Sequence, residues 1–383
     1  MKWIYRSMAF LVLISCQEKE TENGEVQNFS IVLKDSIVVD FLGDYELKDY
    51  EPGSDRYLLR DYREGSSYLE VDGKGTLVHQ DQFTSDGVDA VGYVLGMGYF
   101  QGAVTVLSET KGYLKFKDSK KVGEIPFHHP FIPYLNYPKL GVFEYGDYVY
   151  YPNLISESIL DKRKDGSSFF EAVYHMPVLQ GQNLATGDTL SAMKIPDESE
   201  LLDGKVHGMV FPVYSVSDTH VVFSPWIGNR LYVYRKDAGR LVYETRIVLE
   251  DPDFVHYEPL DTEDPGEFFI RNQKHSPGVI EDVLILEDYY LAVYKKGIEE
   301  IRMPQREEGK EREFFMQIEQ MNPYFAAVFD REFKQLASGI PFPENIRVPR
   351  VVNASNEIVV SKNPNLSETE DDGIVLYKLT LEN

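Results

Sequence analysis

The sequence predicts an all-β fold, a six-bladed β-propeller, and three observations carry that prediction. Closing hairpins recur six times along the 383 residues, at Tyr68/Asp72, Tyr113/Asp118, Asn183/Gly187, Leu231/Asp237, Ala326/Asp330 and Ile374/Lys378. Allowing for loop insertions, they lie about 40–50 residues apart, which is the length of a four-stranded blade. One strand within residues 26–41 has no hairpin partner nearby, while the last unit shows only three strands. Pairing that strand with the last unit closes a ring. A lone four-stranded sheet cannot bury both faces, so such units stack around an axis. The same strand spacing also fits a large two-sheet β-sandwich, which stands as the alternative fold.

The elements follow in order. The orphan strand lies around Lys34-Asp35, and the first unit has strands at 57–60, 67–71 and 76–80, with a turn at Asp72-Gly73-Lys74-Gly75. The second unit covers 88–94, 103–107, 113–117 and 122–126. The third has 140–144, 148–151, 172–175, 182–185 and 189–195, interrupted by the charged stretch DKRKDGSS. The fourth is the clearest: 214–216, 219–224, 230–235 and 240–248, joined by Ser217-Asp218, Gly228-Asn229 and Asp237-Ala238-Gly239. Alternation, β-branched and aromatic residues and turn formers agree there. The fifth covers 279–286, 289–295, 325–329 and 334–340, with a helix expected inside 297–320 from REEGKEREFFMQIEQM. The sixth has 350–353, 358–361 and 374–381.

Composition bounds the partners. Net charge is −24, which argues against a nucleic-acid partner and against broad adsorption to anionic lipid, because both need clustered Lys and Arg. The 26 Tyr and 22 Phe suit sheets that pack flat rings and keep polar tips at wet edges. Cys16 is the one cysteine, so no intramolecular disulfide can form. Lys2 and Arg6 precede the apolar run 8–14, too short to span a bilayer, and Leu13-Ile14-Ser15-Cys16 follows. Residues 1–15 read as an export signal, and 16–25 (CQEKETENGE) as a flexible acidic tether unable to bury enough surface to fold. Residues 26–383 then form a single propeller domain.

The Leu13–Cys16 pattern resembles the bacterial lipoprotein signal, in which the cysteine is lipidated and becomes the first mature residue. Together with the tether and the six irregular units, it is similar to the uncharacterised six-bladed propeller lipoproteins of Gram-negative envelopes, within the TolB-like six-bladed class. That resemblance implies a membrane partner through a lipid on Cys16. Gln17 in place of an Asp implies the outer membrane, on its periplasmic or surface side. It supplies no activity and no site.

Familiar catalytic patterns are missing: no G-x-S-x-G, no H-E-x-x-H and no P-loop. Gly96-Met97-Gly98 with Gly102 superficially matches a dinucleotide loop but reads as a turn, since no helix follows. The acidic stretches 251–253 and 261–267 lack the spacing of a calcium loop. Histidines are more suggestive. His128 and His129, His207, and His275 fall in three consecutive blade-to-blade connections, with Tyr134, Lys205, Arg271 and Lys274 near them in sequence. Converging imidazoles can bind a divalent metal, the one cofactor candidate, or act as acid and base, or hydrogen-bond loop backbone. His79, His175, His220 and His256 read as strand or loop residues without a partner. Aromatic residues in the connections, among them Phe211, Tyr214, Phe254 and Tyr257, are the material of glycan or peptide clefts, or of packing that holds long loops down.

Two functional readings follow. In one, the propeller face of an envelope lipoprotein binds a protein, peptide or glycan through His128, His129, Tyr134, His207, Arg271 and His275, without catalysis. In the other, a polymer-active lyase or hydrolase uses the same histidines, with or without a metal. Fold cannot arbitrate, because propellers host both.

Overall fold

Twenty-four strands in six separate four-stranded antiparallel sheets make up the computed structural model, which describes residues 28–87, 89–127, 139–153, 169–261, 267, 270–271, 274–367 and 372–383. Strand β1 (Ser30–Val39) stands apart in sequence from its sheet. Blade 1 is β2 (Tyr45–Glu51), β3 (Arg56–Asp61), β4 (Ser67–Asp72) and β5 (Leu77–Gln82). Blade 2 is β6 (Val94–Phe100), β7 (Ala103–Ser108), β8 (Gly112–Lys117) and β9 (Lys120–Ile125). Blade 3 is β10 (Phe143–Tyr145), β11 (Tyr148–Pro152), β12 (Leu179–Gln182) and β13 (Thr189–Ala192). Blade 4 is β14 (Val213–Val216), β15 (His220–Ser224), β16 (Arg230–Asp237) and β17 (Arg240–Val248). Blade 5 is β18 (Val279–Ile285), β19 (Tyr290–Lys295), β20 (Tyr324–Phe329) and β21 (Gln335–Pro341). Blade 6 is β22 (Val351–Val352), β23 (Ile358–Ser361) and β24 (Ile374–Glu382), completed on its outer edge by β1.

Burial explains why these residues make blades. The second and third strands are covered on both faces by neighbouring blades and read as apolar runs: AVTVLS and YLAVYK are buried at every position. Outer strands alternate, as in RLVYETRIV, because one face meets water. Six core clusters each span two adjacent blades, and a seventh, small one gathers around Val173. Ile37, Val39, Val359 and Leu376 of blade 6 pack on Leu47, Leu59 and Val71 of blade 1, and Val222, Val233, Ala292 and Phe329 join blades 4 and 5. Buried tyrosines add polar stitches between strands and loops: the Tyr232 hydroxyl meets Ser199 Oγ at 2.5 Å, and Asn353 donates to the Tyr57 hydroxyl at 3.1 Å.

Ring closure is as expected: β1 pairs antiparallel with β24 from Ser30↔Glu382 to Val39↔Ile374. Blades 4, 5 and 6 also follow the expected strands closely. Three readings are corrected. Blade 1 has an inner strand, β2, where none was expected, because YELKDYE carries four charges among its seven residues. Gly96-Met97-Gly98 is strand β6 rather than a turn, and 88–94 ends where that strand begins. A Cβ at Gly98 would lie 2.7 Å from Asp49 Oδ2 and 2.8 Å from Leu140 Cβ, so the glycines permit close approach between blades. Residues 172–174 of the stretch 172–175 expected as a strand belong to helix α1 (Phe169–Tyr174), whose Phe170, Val173 and Tyr174 are buried, and His175 lies in the turn after it.

Strand polarity separates the two ends of the ring. Blade-to-blade connections and the loops between second and third strands share one end, called here the connection face. The remaining turns, and Ser30 beside Glu382, lie at the other end. Helix α2 (Glu311–Met321), the expected insertion between β19 and β20, therefore stands on the connection face.

Candidate functional site

Of the histidines singled out by sequence, His128 and His129, together with Tyr134, lie outside the described residues. His207 and His275 do share a neighbourhood on the connection face. His207 is buried, its Nε2 2.9 Å from Asp203 Oδ1, its ring 6.2 Å from Tyr257 and 6.1 Å from Tyr174 between centroids. The Tyr174 hydroxyl accepts from the amides of His207 and Gly208, which fixes the loop. Arg271 lies over the other partner in this stack, 5.7 Å from the Tyr257 centroid, and 3.7 Å from Glu258. Burial and the Arg271 charge hold His275 below the usual imidazole range, and its Nε2 is buried with no hydrogen-bond partner among the described residues. Beside His207 is a cavity of 280 Å³ reaching Asn229, Arg230 and His256. Among the described residues no three His, Cys, Asp or Glu side chains are grouped to hold a metal ion. His220 does have partners, contrary to the sequence reading: Glu244 at 2.9 Å and the Thr219 hydroxyl at 2.9 Å. His79 meets the Ser119 hydroxyl at 3.3 Å. Of the aromatic residues expected at a rim, Tyr214 and Phe254 are buried.

The charged centre of the molecule was not expected. Inner strands of the blades line an axial channel, and three of them, β2, β6 and β18, carry a β-bulge, with a charged residue at it in β2 and β18. The β2–β3 register skips Lys48, and the β18–β19 register skips Glu281. A bulge re-aims the following side chain, so Lys48 and Asp49, which would otherwise point to opposite faces, both line the channel. Asp49 and Asp282 occupy matching positions, each accepting from the next residue's amide, Tyr50 at 2.8 Å and Val283 at 2.7 Å.

Asp282 is fully buried and is held by Lys139 Nζ at 2.6 Å and by Arg350 Nη1 at 3.4 Å. Lys139 reaches across from the start of blade 3 and also donates to Ser215 Oγ at 3.2 Å. Lys48 pairs with Glu46 at 2.8 Å. Burial drives both members of that pair toward neutrality; it lowers Lys48, whereas Lys48 and the arginines at 347 and 350 more than offset it for Glu46, whose carboxyl lies below its usual range. Asp49 accepts a second amide, Tyr99 at 2.7 Å, yet burial pushes its carboxyl up to about 6 against those amides and Lys139. Some accessible area remains at Asp49 because it faces the channel itself, while protein surrounds it on every side.

The connection face carries a cleft of 720 Å³ between α2 and the loops of blades 6 and 1. Arg312 and Met316, four residues apart on one face of α2, form one wall; Asp44, Asp61, Arg63 and Lys362 contribute to the other. The helix is seated by buried Phe314 and by Glu319, which meets the buried Lys295 at 2.7 Å. Arg347 pairs with Asp44 and places its guanidinium 3.8 Å from the Tyr62 centroid. Leu42 in the cleft wall is 77% exposed, and Phe315 and Tyr62, each next in sequence to a residue of the wall, are 57% and 55% exposed, an apolar set unusual on so acidic a surface.

Comparison with known proteins extends the fold and stops there. No family model matches the chain, and no curated protein matches it in sequence. Among solved structures, it is similar to a member of the DUF4221 family from Bacteroides vulgatus, with a TM-score of 0.65 at 11% identity, covering 94% of this chain and 100% of that one. It is also similar to a candidate exported protein from Bacteroides fragilis, with a TM-score of 0.50 at 10% identity over 93% and 95% of the two chains. At these identities the likeness shows the six-bladed propeller fold.

Proposed function

We propose that this chain is an envelope lipoprotein, tethered through Cys16, whose connection face binds a protein, peptide or glycan partner without chemical turnover. The observation that carries this reading is the 720 Å³ cleft with exposed Leu42 in its wall and exposed Tyr62 and Phe315 next in sequence to other wall residues. Exposed aromatic and aliphatic anchors next to arginines are the composition of interface hot spots. The two described histidines support a binding role over catalysis, because the His207 Nε2 is engaged by Asp203 and the His275 Nε2 is buried.

Outer-membrane anchoring rests on the Leu13–Cys16 pattern and on Gln17. The description of one structural neighbour as a candidate exported protein agrees with an export signal. Topology supports an orientation as well. The described chain starts at the end of the ring opposite the connection face, so a lipid at Cys16 draws that opposite end toward the bilayer and leaves the cleft facing away.

Triple substitution of Leu42, Tyr62 and Phe315 by Ala tests the face. The partner that co-purifies with the wild-type chain from solubilised envelopes is expected to be lost, with the melting curve unchanged. Cys16→Ala is expected to release the chain from the membrane fraction. Undiminished co-purification by the triple variant would refute the cleft as the recognition site.

A further inference from the structure

We propose that helix α2 is a movable jaw of the cleft, opening and closing on the loops of blades 6 and 1 while the propeller beneath it stays folded. The use of such a jaw rests on the reading of the cleft as a recognition site, whereas the opening itself belongs to the chain alone. Helix α2 lies in the insertion between β19 and β20, and from 299 to 321 that insertion buries one side chain, Phe314. Phe314 stands outside the core clusters that join the blades. Elements with so few buried apolar contacts open locally at a lower free energy than the global one.

Polar contacts are as few. Among the described residues, one ion pair ties 299–321 to the propeller strands, Glu319 with Lys295 Nζ at 2.7 Å. The base of the insertion is rigid by contrast. The Gly297 amide donates to Asn322 Oδ1 at 3.0 Å, and Asn322 is buried. A Cβ at Gly297 would lie 2.5 Å from the Gly278 nitrogen, so the chain is clamped where it leaves the blade. Motion is therefore confined to the part beyond that clamp.

The helix has little to hold it once undocked. It is eleven residues long, its N-cap Lys310 makes no side-chain capping bond, and its last turn carries no basic residue. A helix of that length is marginal in water without packing, so undocking and loss of helix are one event. Arg312 and Met316 leave the cleft wall in that event. Glu319 acts as the latch. Its partner Lys295 is buried and lies 4.6 Å from the Tyr324 ring centroid, so the ammonium keeps one favourable contact when Glu319 departs.

Hydrogen exchange followed by mass spectrometry on the purified full chain, with no partner added, tests the proposal. Its outcome is independent of whether the cleft captures a partner. Amides of α2 are expected to exchange about a hundredfold or more faster than those of β19 and β20, the strands that flank it. Phe314→Ala is expected to speed α2 exchange by about tenfold or more, with the melting curve unchanged. Glu319→Gln is expected to speed it severalfold, and it keeps the test open should Phe314→Ala fail to melt cooperatively. Exchange of α2 as slow as that of β19 and β20 overturns the proposal, as does α2 exchange unchanged in either folded variant.

Discussion

At Asp49 the balance between desolvation and hydrogen bonding can be measured directly. Burial raises its carboxyl to about 6, against the amides of Tyr99 and Tyr50 and the Lys139 charge, with Glu51 adding to the rise and Lys48 and Arg350 lining the same cavity. A folded value above the unfolded one, near 4, means the ionised form is disfavoured by folding. Stability from this group is therefore greatest below pH ~4 and falls as pH rises toward about 6. Urea midpoints followed across that window are expected to lose this slope in Asp49→Asn, and an unchanged slope would show that another group sets it. Lys139 poses the complementary case. Removing it leaves the fully buried Asp282 with the Val283 amide and the longer Arg350 contact, and no close cation. Lys139→Met is expected to cost roughly 3–5 kcal/mol in urea unfolding, while Lys139→Met with Asp282→Leu is expected to cost clearly less. Equal losses in the two would mean that the ion pair is not the source of the cost.

Among elements, the inner strands show where sequence reasoning stopped. Strands such as β16, β17, β19 and β20 were legible because their environment is uniform: apolar where two blades clamp them, alternating where water meets one face. Inner strands face a polar channel, so YELKDYE lacks an apolar run, and β10 is three residues long. The functional signal missed was the charged pair before a hydrophobic residue, Lys48-Asp49-Tyr50 and Glu281-Asp282-Val283, repeated in two blades at the bulge. Read as strand interruptions, those charges point away from a strand; read as channel lining, they mark it. Convergence of Lys139 and Arg350 on Asp282 spans more than 200 residues of sequence and could not be read from spacing. Helix α1 misled for a different reason, since AVYH fits a strand as well as a helix until the burial of Phe170 and Tyr174 decides it. Strand β1 was legible as an orphan, and it carries an element-scale prediction. Ile37 and Val39 are 3% and 0% exposed against blade 1 residues, so deleting residues 28–39 uncovers that core and leaves β24 as an open edge. Such a chain is expected to lose its cooperative melt and to aggregate; a cooperative melt near the wild-type midpoint would show that closure is dispensable.

For the whole molecule, polarity of the ring joins the parts. Strand β1 starts at one end, the connections and α2 stand at the other, and the charged channel lies between them. A net charge of −24 repels anionic lipid, so under the proposed function contact with a membrane falls to a lipid on Cys16 and contact with a partner to the exposed apolar residues of the connection face. The face claim is the central one, and in-cell photo-crosslinking tests it most directly. Photoreactive residues at Leu42 and Phe315 on the connection face are compared with Lys74 and Glu332, exposed in turns of the opposite end. A discrete crosslinked species from the first pair and none from the second is the result this account predicts. The same species from Lys74 and Glu332, with none from Leu42 and Phe315, would contradict it.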